Sequence, residues 1–329
     1  MENKVLTIFG IDFHIKASPD IMRLLTFDFK NFNKVENELC KKAIFIEQTN
    51  NPTKYSFTRL VWKSERYNIF ESKNHRLISY ANGDEILVDF STDKFEVYSV
   101  DHVFLHEMIY LIILSRLGKI LDLIGVHKIH GMSCVYEDNL YSFIGASNVG
   151  KSTLLLNLLS NYNIKVFSDD LLFLNSNLVC YIFPLRVGIP KDYDITSMAF
   201  DGLSQVLRRR FGLKELADPS NYLPEKQTMA LKELFLLKKG HGCSVRKSTF
   251  LEKFSYLMKY LCIGFDTPII FEIFWQTGIS DFFRKLKIFL LRMKLMIYIF
   301  SKVDFKTIEY ENEEQLKETA TRLMNLNSN

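Results

Sequence analysis

The sequence predicts an α/β fold preceded by a β-rich region, and three observations carry that prediction. Short alternating apolar runs broken by turns fill residues 1 to 100, and from there strand-like and helix-like runs alternate. The stretch "YSFIGASNVGKSTLLLNLL" (141 to 159) passes from an apolar strand through a glycine turn into a leucine-rich helix. The 329 residues are 47% apolar and 24% charged, ample for a core and too weakly charged for a disordered chain.

In the first hundred residues, "KVLTIFGIDFHIK", "YSFTRLVWKS", "YNIFESKNHRLISYA" and "ILVDFSTDKFEVYSV" read as strands, with "NGDE" (82 to 85) a turn and one helix near 30 to 42. Residues 101 to 124 have helical spacing and length, closed by Gly125. A hairpin around Glu137, Asp138 and Asn139 follows, then a helix over 151 to 160. "IKVFSDDLLFLN" and "LVCYIFPLRVGI" read as strands, and 191 to 228 as a polar insertion. Strand "LKELFLLKKG", a helix near 249 to 261 and a helix from 281 complete the order. The expected division is a β-rich region at 1–100 and an α/β domain at 101–329.

Several classes are set aside. A net charge of +4 over this length predicts no nucleic-acid partner. The five cysteines are scattered without a Cys-x-x-Cys pair, which fits reduced thiols in a cytoplasm rather than zinc or a disulfide framework. The opening "MENKVLTIFGIDFHIK" meets Asp12 and His14 too early for a signal peptide. Residues 102 to 125 and 281 to 300 are apolar but carry His106, Glu107, Arg116 and Lys119, and five basic residues, respectively. Neither offers the roughly 18 uncharged residues of a membrane span.

Gly145, Ala146, Ser147, Asn148, Val149, Gly150, Lys151 and Ser152 fit G-x-x-x-x-G-K-[ST] without a gap. Glycines let successive backbone N–H groups approach phosphate oxygens, and the helix N-terminus adds its positive dipole end. Lys151, expected on a solvent-lined loop, would reach the β- and γ-phosphates, and the Ser152 hydroxyl could ligate Mg²⁺. Further on, the apolar run ending in Asp169 and Asp170 is where such a site places a Mg²⁺-binding carboxylate. With two adjacent acids, one can hold Mg²⁺ while the other accepts a proton; the bland alternative is a pair of acids capping a strand end. His130 and Gly131 open a strand just upstream.

Taken together, "HGMSCVYEDNLYSFIGASNVGKSTLLLNLLSNYNIKVFSDD" resembles the HPr kinase/phosphorylase family, in which His-Gly, a hairpin, G-x-S-x-x-G-K-S, a helix and Asp-Asp follow in that order. The resemblance covers about 130 to 170 and extends by element order towards residue 329. It implies a nucleotide-binding core with a mixed sheet, of the kind shared with phosphoenolpyruvate carboxykinase. By position, Gly145, Ser147, Gly150, Lys151, Ser152 and Thr153 would bind nucleotide phosphates and Mg²⁺. Asp169 and Asp170 would share base and metal duties, with Asp169 favoured as base and Asp170 as ligand, and His130 would lie beside the transfer site.

The departures are specific. Asn148 replaces the loop's central glycine, so it must either keep φ negative or accept the left-handed region. "YIFPLRVGIPKD" stands where the family has a glutamate-containing, glycine-rich signature, and residues 1 to 100 do not match its N-terminal domain. The implied protein is a diverged HPr-kinase-related one, of the kind found beside peptide-modification genes.

Three basic features remain. Arg186, in "PLRVG", is a candidate clamp for transferred phosphate, with a plain surface arginine the equal alternative. "LRRRFG" and Lys226 in the polar insertion read as a solvated charge run. On a wheel of 281 to 296, Arg284, Lys285, Lys287, Arg292 and Lys294 share one half, and Phe282, Phe283, Phe289, Leu290 and Met293 the other. A core helix with snorkelling basic residues is expected in preference to a membrane or peptide-binding surface.

The leading expectation is an ATP- (or GTP-) and Mg²⁺-dependent phosphotransferase acting on a hydroxyl, Ser or Thr of a peptide or small protein. The alternative is a nucleotide-binding accessory protein without transfer activity. With no glutamate between Asp170 and Glu215 to activate phosphate or water, one-way transfer to an acceptor other than HPr is expected. A homo-oligomer is left open.

Overall fold

The computed structural model describes residues 1–329 apart from 54, 56, 58, 192, 210, 211, 241, 265–273 and 327–329, and apart from the side chains of 320, 321 and 323–326. It is a mixed α/β structure whose described residues form three sheets and six α-helices. They divide into two compact units: Met1–Ile120 with Leu207–Gly212 and Phe271–Lys285, and Leu121–Val206 with Leu213–Ile270 and Leu286–Asn329.

The first unit is built on strands β1 (Glu2–Ile8), β2 (Ile11–Ala17), β3 (Lys42–Thr49), β4 (Arg59–Lys63), β5 (Tyr67–Ser72), β6 (His75–Tyr80), β7 (Glu85–Asp89) and β8 (Lys94–Tyr98). They hydrogen-bond in the order β1-β2-β3-β8-β7-β6-β5-β4, parallel at β2–β3 and β3–β8. Helix α1 (Pro19–Phe29) corrects the expected helix at 30 to 42. Ser18 stays extended, Pro19 pre-sets the first helical φ, and Ile21, Met22, Leu25 and Phe29 bury one face. A short 3₁₀ turn, Lys30–Lys34, ends where Val35 returns to extended backbone. Helix α2 (His102–Leu123) follows within a residue of its expected span.

The second unit centres on β9 (Val126–Tyr136). It turns through Glu137 (φ 45°) and Asp138 (φ 63°) into β10 (Asn139–Ile144), the expected hairpin. Then come α3 (Lys151–Asn161), β11 (Lys165–Ser168), β12 (Leu171–Asn175), β13 (Val179–Tyr181) and β14 (Val187–Ile189). The stretch read as a polar insertion holds β15 (Leu203–Arg208) and β16 (Gly212–Ala217), which form a three-stranded sheet in the order β14-β16-β15. Arg210 and Phe211 of the "LRRRFG" run lie outside the described residues. Lys226 pairs with Asp138 on the exposed surface.

The remaining elements are β17 (Thr228–Ala230), β18 (Glu233–Lys239), β19 (Ser244–Lys247), α4 (Phe250–Leu257), α5 (Ile279–Lys302), β20 (Asp304–Tyr310) and α6 (Glu313–Leu326). The main sheet runs β17-β13-β12-β9-β10-β18-β20-β19, with β11 also on β9. It is parallel at β10–β18 and β18–β20 and antiparallel at its other described pairings, hence mixed.

Strand β9 is buried along ten of its eleven positions, as a central strand covered on both faces must be. Helix α3 packs Leu154, Leu155, Leu156, Leu158 and Leu159 into a cluster with Phe143, Phe235, Leu237, Ile308 and Leu316. That packing fixes the helix start relative to β10, where the chemistry-bearing residues lie. Among the described residues no helix is long and apolar enough to cross a membrane.

Candidate functional site

Between β10 and α3 the chain makes one tight loop. Val149 N–H donates to the Ala146 carbonyl at 3.2 Å, and the Val149 side chain anchors the turn in the apolar cluster below. Ser147 and Asn148 stand exposed at the tip. Asn148 takes φ 62°, so asparagine accepts the left-handed region in place of glycine. Gly150, at φ 90°, caps α3; a Cβ there would lie 3.0 Å from both Tyr310 Oη and Leu316 Cδ2. Thr153 is buried in the first turn of α3. The first N–H groups of the helix have no intrahelical acceptor, and they open beside this loop.

Lys151 departs from expectation, because it is buried rather than solvent-lined. Its Nζ donates to the carbonyls of Gly145 and Ala146, both at 3.0 Å, and lies 3.0 Å from His130 Nε2. The other ring nitrogen of His130 is 3.1 Å from the Asp170 carbonyl oxygen, which can only accept. The network therefore assigns Nδ1–H as donor to Asp170 and Nε2 as acceptor from Lys151. Gly131 N–H donates to the same carbonyl at 3.1 Å. No side chain fits at Gly131, since a Cβ would meet the Phe143 carbonyl oxygen at 2.6 Å.

The two aspartates part company. One extra residue on β11 between Val166 and Ser168 shifts its register on β9, and the ladder resumes at Leu171 opposite His130. Such bulges re-aim the side chains that follow. Asp170 is exposed and Asp169 is buried. Ser152 Oγ donates to Asp169 at 3.1 Å, and the Gly188 N–H of β14 donates at 3.0 Å. Burial, then the neighbouring Asp170 charge, push the Asp169 carboxyl up to about 7 against the pull of these hydrogen bonds and of Lys151.

Chemically, the arrangement gathers a lysine ammonium, a helix N-terminus, a hydroxyl and a carboxyl that titrates near neutrality. Of the residues singled out from sequence, His130, Lys151, Ser152, Asp169 and Asp170 come together with the 145–150 loop. Arg186 is half-buried and directly precedes β14, two residues from Gly188. Sequence reasoning missed the Gly188 N–H. Its strand pairs with 215–217, inside a segment read as an insertion, so no local signal marks it.

A second buried cluster in the same unit was also missed. Asp122 accepts from Arg292 through Nε at 3.0 Å and through Nη2, and its Oδ1 lies 2.8 Å from His127 Nδ1. Arg292 Nη1 also donates to the Leu261 carbonyl at 3.2 Å. The guanidinium holds the Asp122 carboxyl below the usual carboxylate range against its burial. Arg292 is thus a core residue and not a snorkelling surface one.

Neither a protein-family model nor a curated protein matches the sequence. Among solved structures the chain is similar to the Hpr(Ser) kinase/phosphatase from Coxiella burnetii, at 12% identity and a TM-score of 0.29, over 61% of this chain and 95% of that one.

Proposed function

We propose that the second unit is an ATP- or GTP-dependent phosphotransferase that moves the γ-phosphate to a hydroxyl, a Ser or Thr of a peptide or small protein. Residues 145–153 serve as a phosphate-binding loop, and Lys151 leaves the loop carbonyls for the β- and γ-phosphates. His130 holds Lys151 in place until nucleotide arrives, and Arg186 clamps the transferred group.

Asp169 takes the proton from the acceptor hydroxyl. The single observation that carries this reading is its setting: a buried carboxyl that accepts from Ser152 Oγ and the Gly188 N–H at the head of α3, with Asp170 next door, surroundings that push it up to about 7. A base poised near the working pH is what general-base transfer needs.

The donors present fit Mg²⁺. It takes hard oxygens, one or two carboxylates and the nucleotide's own phosphates, and the Ser152 hydroxyl and Asp170 would supply the protein's share. When bound, the ion would neutralise charge on the phosphates. Residues 1–100 bind the acceptor or a partner, and the nucleotide site lies in the second unit.

The test is to titrate Mg·ATP and Mg·GTP into the protein by calorimetry and then follow phosphate onto Ser/Thr peptides by mass spectrometry. Binding with transfer is expected, with transfer lost and binding kept in Asp169→Asn. HPr and phospho-HPr should both return unchanged. Absence of nucleotide binding would end the proposal, and binding without transfer would leave the accessory-protein reading in its place.

A further inference from the structure

Helix α5 does not bury the face that its composition suggests. From residue 286 onward its buried stripe is Ile288, Arg292, Leu295, Met296 and Ile299. The side chains turned outward include Leu286, Phe289, Leu290 and Ile297, at 41%, 39%, 57% and 65% exposure. At about 100° per residue these share one strip along the helix, and Lys287, Lys294 and Tyr298 line its edge. The strip continues onto α4: Phe250 packs against Phe300 with ring centroids 5.5 Å apart and the rings tilted, and Leu251 is 75% exposed.

So much apolar surface on two neighbouring helices needs an occupant. Charge chooses among them. Between Phe282 and Lys302 the sequence of α5 has no carboxylate, while Lys287, Lys294 and Lys302 are exposed. On α4 the one acid, Glu252, is already held by Arg246 and the Thr249 cap. A second copy of the chain docking through the same face would bring lysines to lysines, with no acid of its own to pair them. A surface of lipid phosphates supplies the missing negative charge and accepts the apolar strip, while the lysine stems reach outward to the headgroups.

We infer that the α4/α5 face lies on an anionic membrane surface, with the Phe/Leu/Ile strip in the headgroup boundary and Lys287 and Lys294 against lipid phosphates. The helix rests on the bilayer and does not cross it, and this contact is independent of nucleotide binding.

Vesicle co-sedimentation of the full chain tests it, using phosphatidylcholine alone and phosphatidylcholine mixed with phosphatidylglycerol. The protein should pellet with the mixed vesicles only, less so as salt rises. Leu286→Asp with Leu290→Asp should abolish pelleting. Lys287→Glu with Lys294→Glu should weaken it by at least about tenfold, from the loss of two headgroup contacts. All four positions are exposed, and unchanged circular dichroism and melting would show that the variants fold. No pelleting of the wild type, or equal pelleting of both variants, overturns the inference. So does a dimer in sedimentation velocity that Leu290→Asp dissolves while vesicles bind nothing, which would assign the face to a second copy.

Discussion

Two buried aspartates of one unit show how surroundings push the same side chain in opposite directions. Asp122 and Asp169 are both almost wholly removed from water. Asp122 meets a buried guanidinium and a histidine, and its carboxyl is held low. Asp169 meets a hydroxyl, a backbone N–H and the charge of Asp170 next door, and its carboxyl is pushed up to about 7. Burial alone always favours the neutral form, so the presence or absence of a paired cation decides the outcome. The first cluster is built to stay charged and hold structure. The second leaves a carboxyl pushed up to about 7, beside the 145–150 loop and the start of α3.

Exchanging each carboxylate for its amide should split activity from stability. Asp169→Asn should lower the transfer rate by about 10²–10⁴-fold, the usual worth of a general base, with Mg·ATP affinity nearly kept in calorimetry. Asp122→Asn should do the reverse. It leaves Arg292 buried without its countercharge, and urea unfolding should show a loss of about 3–5 kcal/mol with nucleotide affinity in the surviving folded protein unchanged.

The two groups should also bend the stability–pH curve in opposite directions. The Asp169 value in the folded protein lies above its ordinary 3.8, so the folded state holds a proton that the unfolded chain gives up. That stabilisation is complete below about pH 4 and is lost as pH rises through about 7. For Asp122 the folded value is depressed, so its contribution is present above 3.8 and lost as pH falls below it. Urea midpoints measured from pH 4 to 8 should fall less steeply with rising pH in Asp169→Asn than in the wild type. An identical slope would mean that Asp169 does not carry the extra proton.

A smaller effect is expected from the loop itself. Gly150→Ala puts a methyl group into a left-handed position 3.0 Å from Tyr310 Oη and Leu316 Cδ2. It should cost about 1–3 kcal/mol in urea unfolding and weaken nucleotide binding, because the loop must shift to relieve the strain.

How much of this was legible in the sequence follows the range of each contact. The 145–153 loop, the hairpin at Glu137 and Asp138 and the close of α2 at Gly125 are local, written in glycines, turn residues and periodicity, and they were readable. The start of α1 was written as well, in Ser18 and Pro19, and went unread in favour of a more polar stretch. The partners of Asp169 were not readable. Gly188 reaches it only because β14 pairs with β16, and the bulge in β11 that re-aims the aspartate exists only in register with β9. Arg292 illustrates the same limit. A helical wheel groups it with Lys287 and Lys294, but only the distant Asp122 and the Leu261 carbonyl reveal that it faces inward. Periodicity identifies two faces of a helix and is silent about which of them the core takes.

The most direct measurement is the titration of these two carboxyls in the same sample. Protein labelled with ¹³C at aspartate Cγ, compared with Asp169→Asn and Asp122→Asn to assign the two resonances, would be followed by NMR from pH 4 to 9. The account predicts that the Asp169 resonance moves with a midpoint near 7, while the Asp122 resonance shows no midpoint in that range. An Asp169 resonance already ionised at pH 4 would contradict it, and would reduce the Ser152–Asp169–Gly188 cluster to a capped strand end.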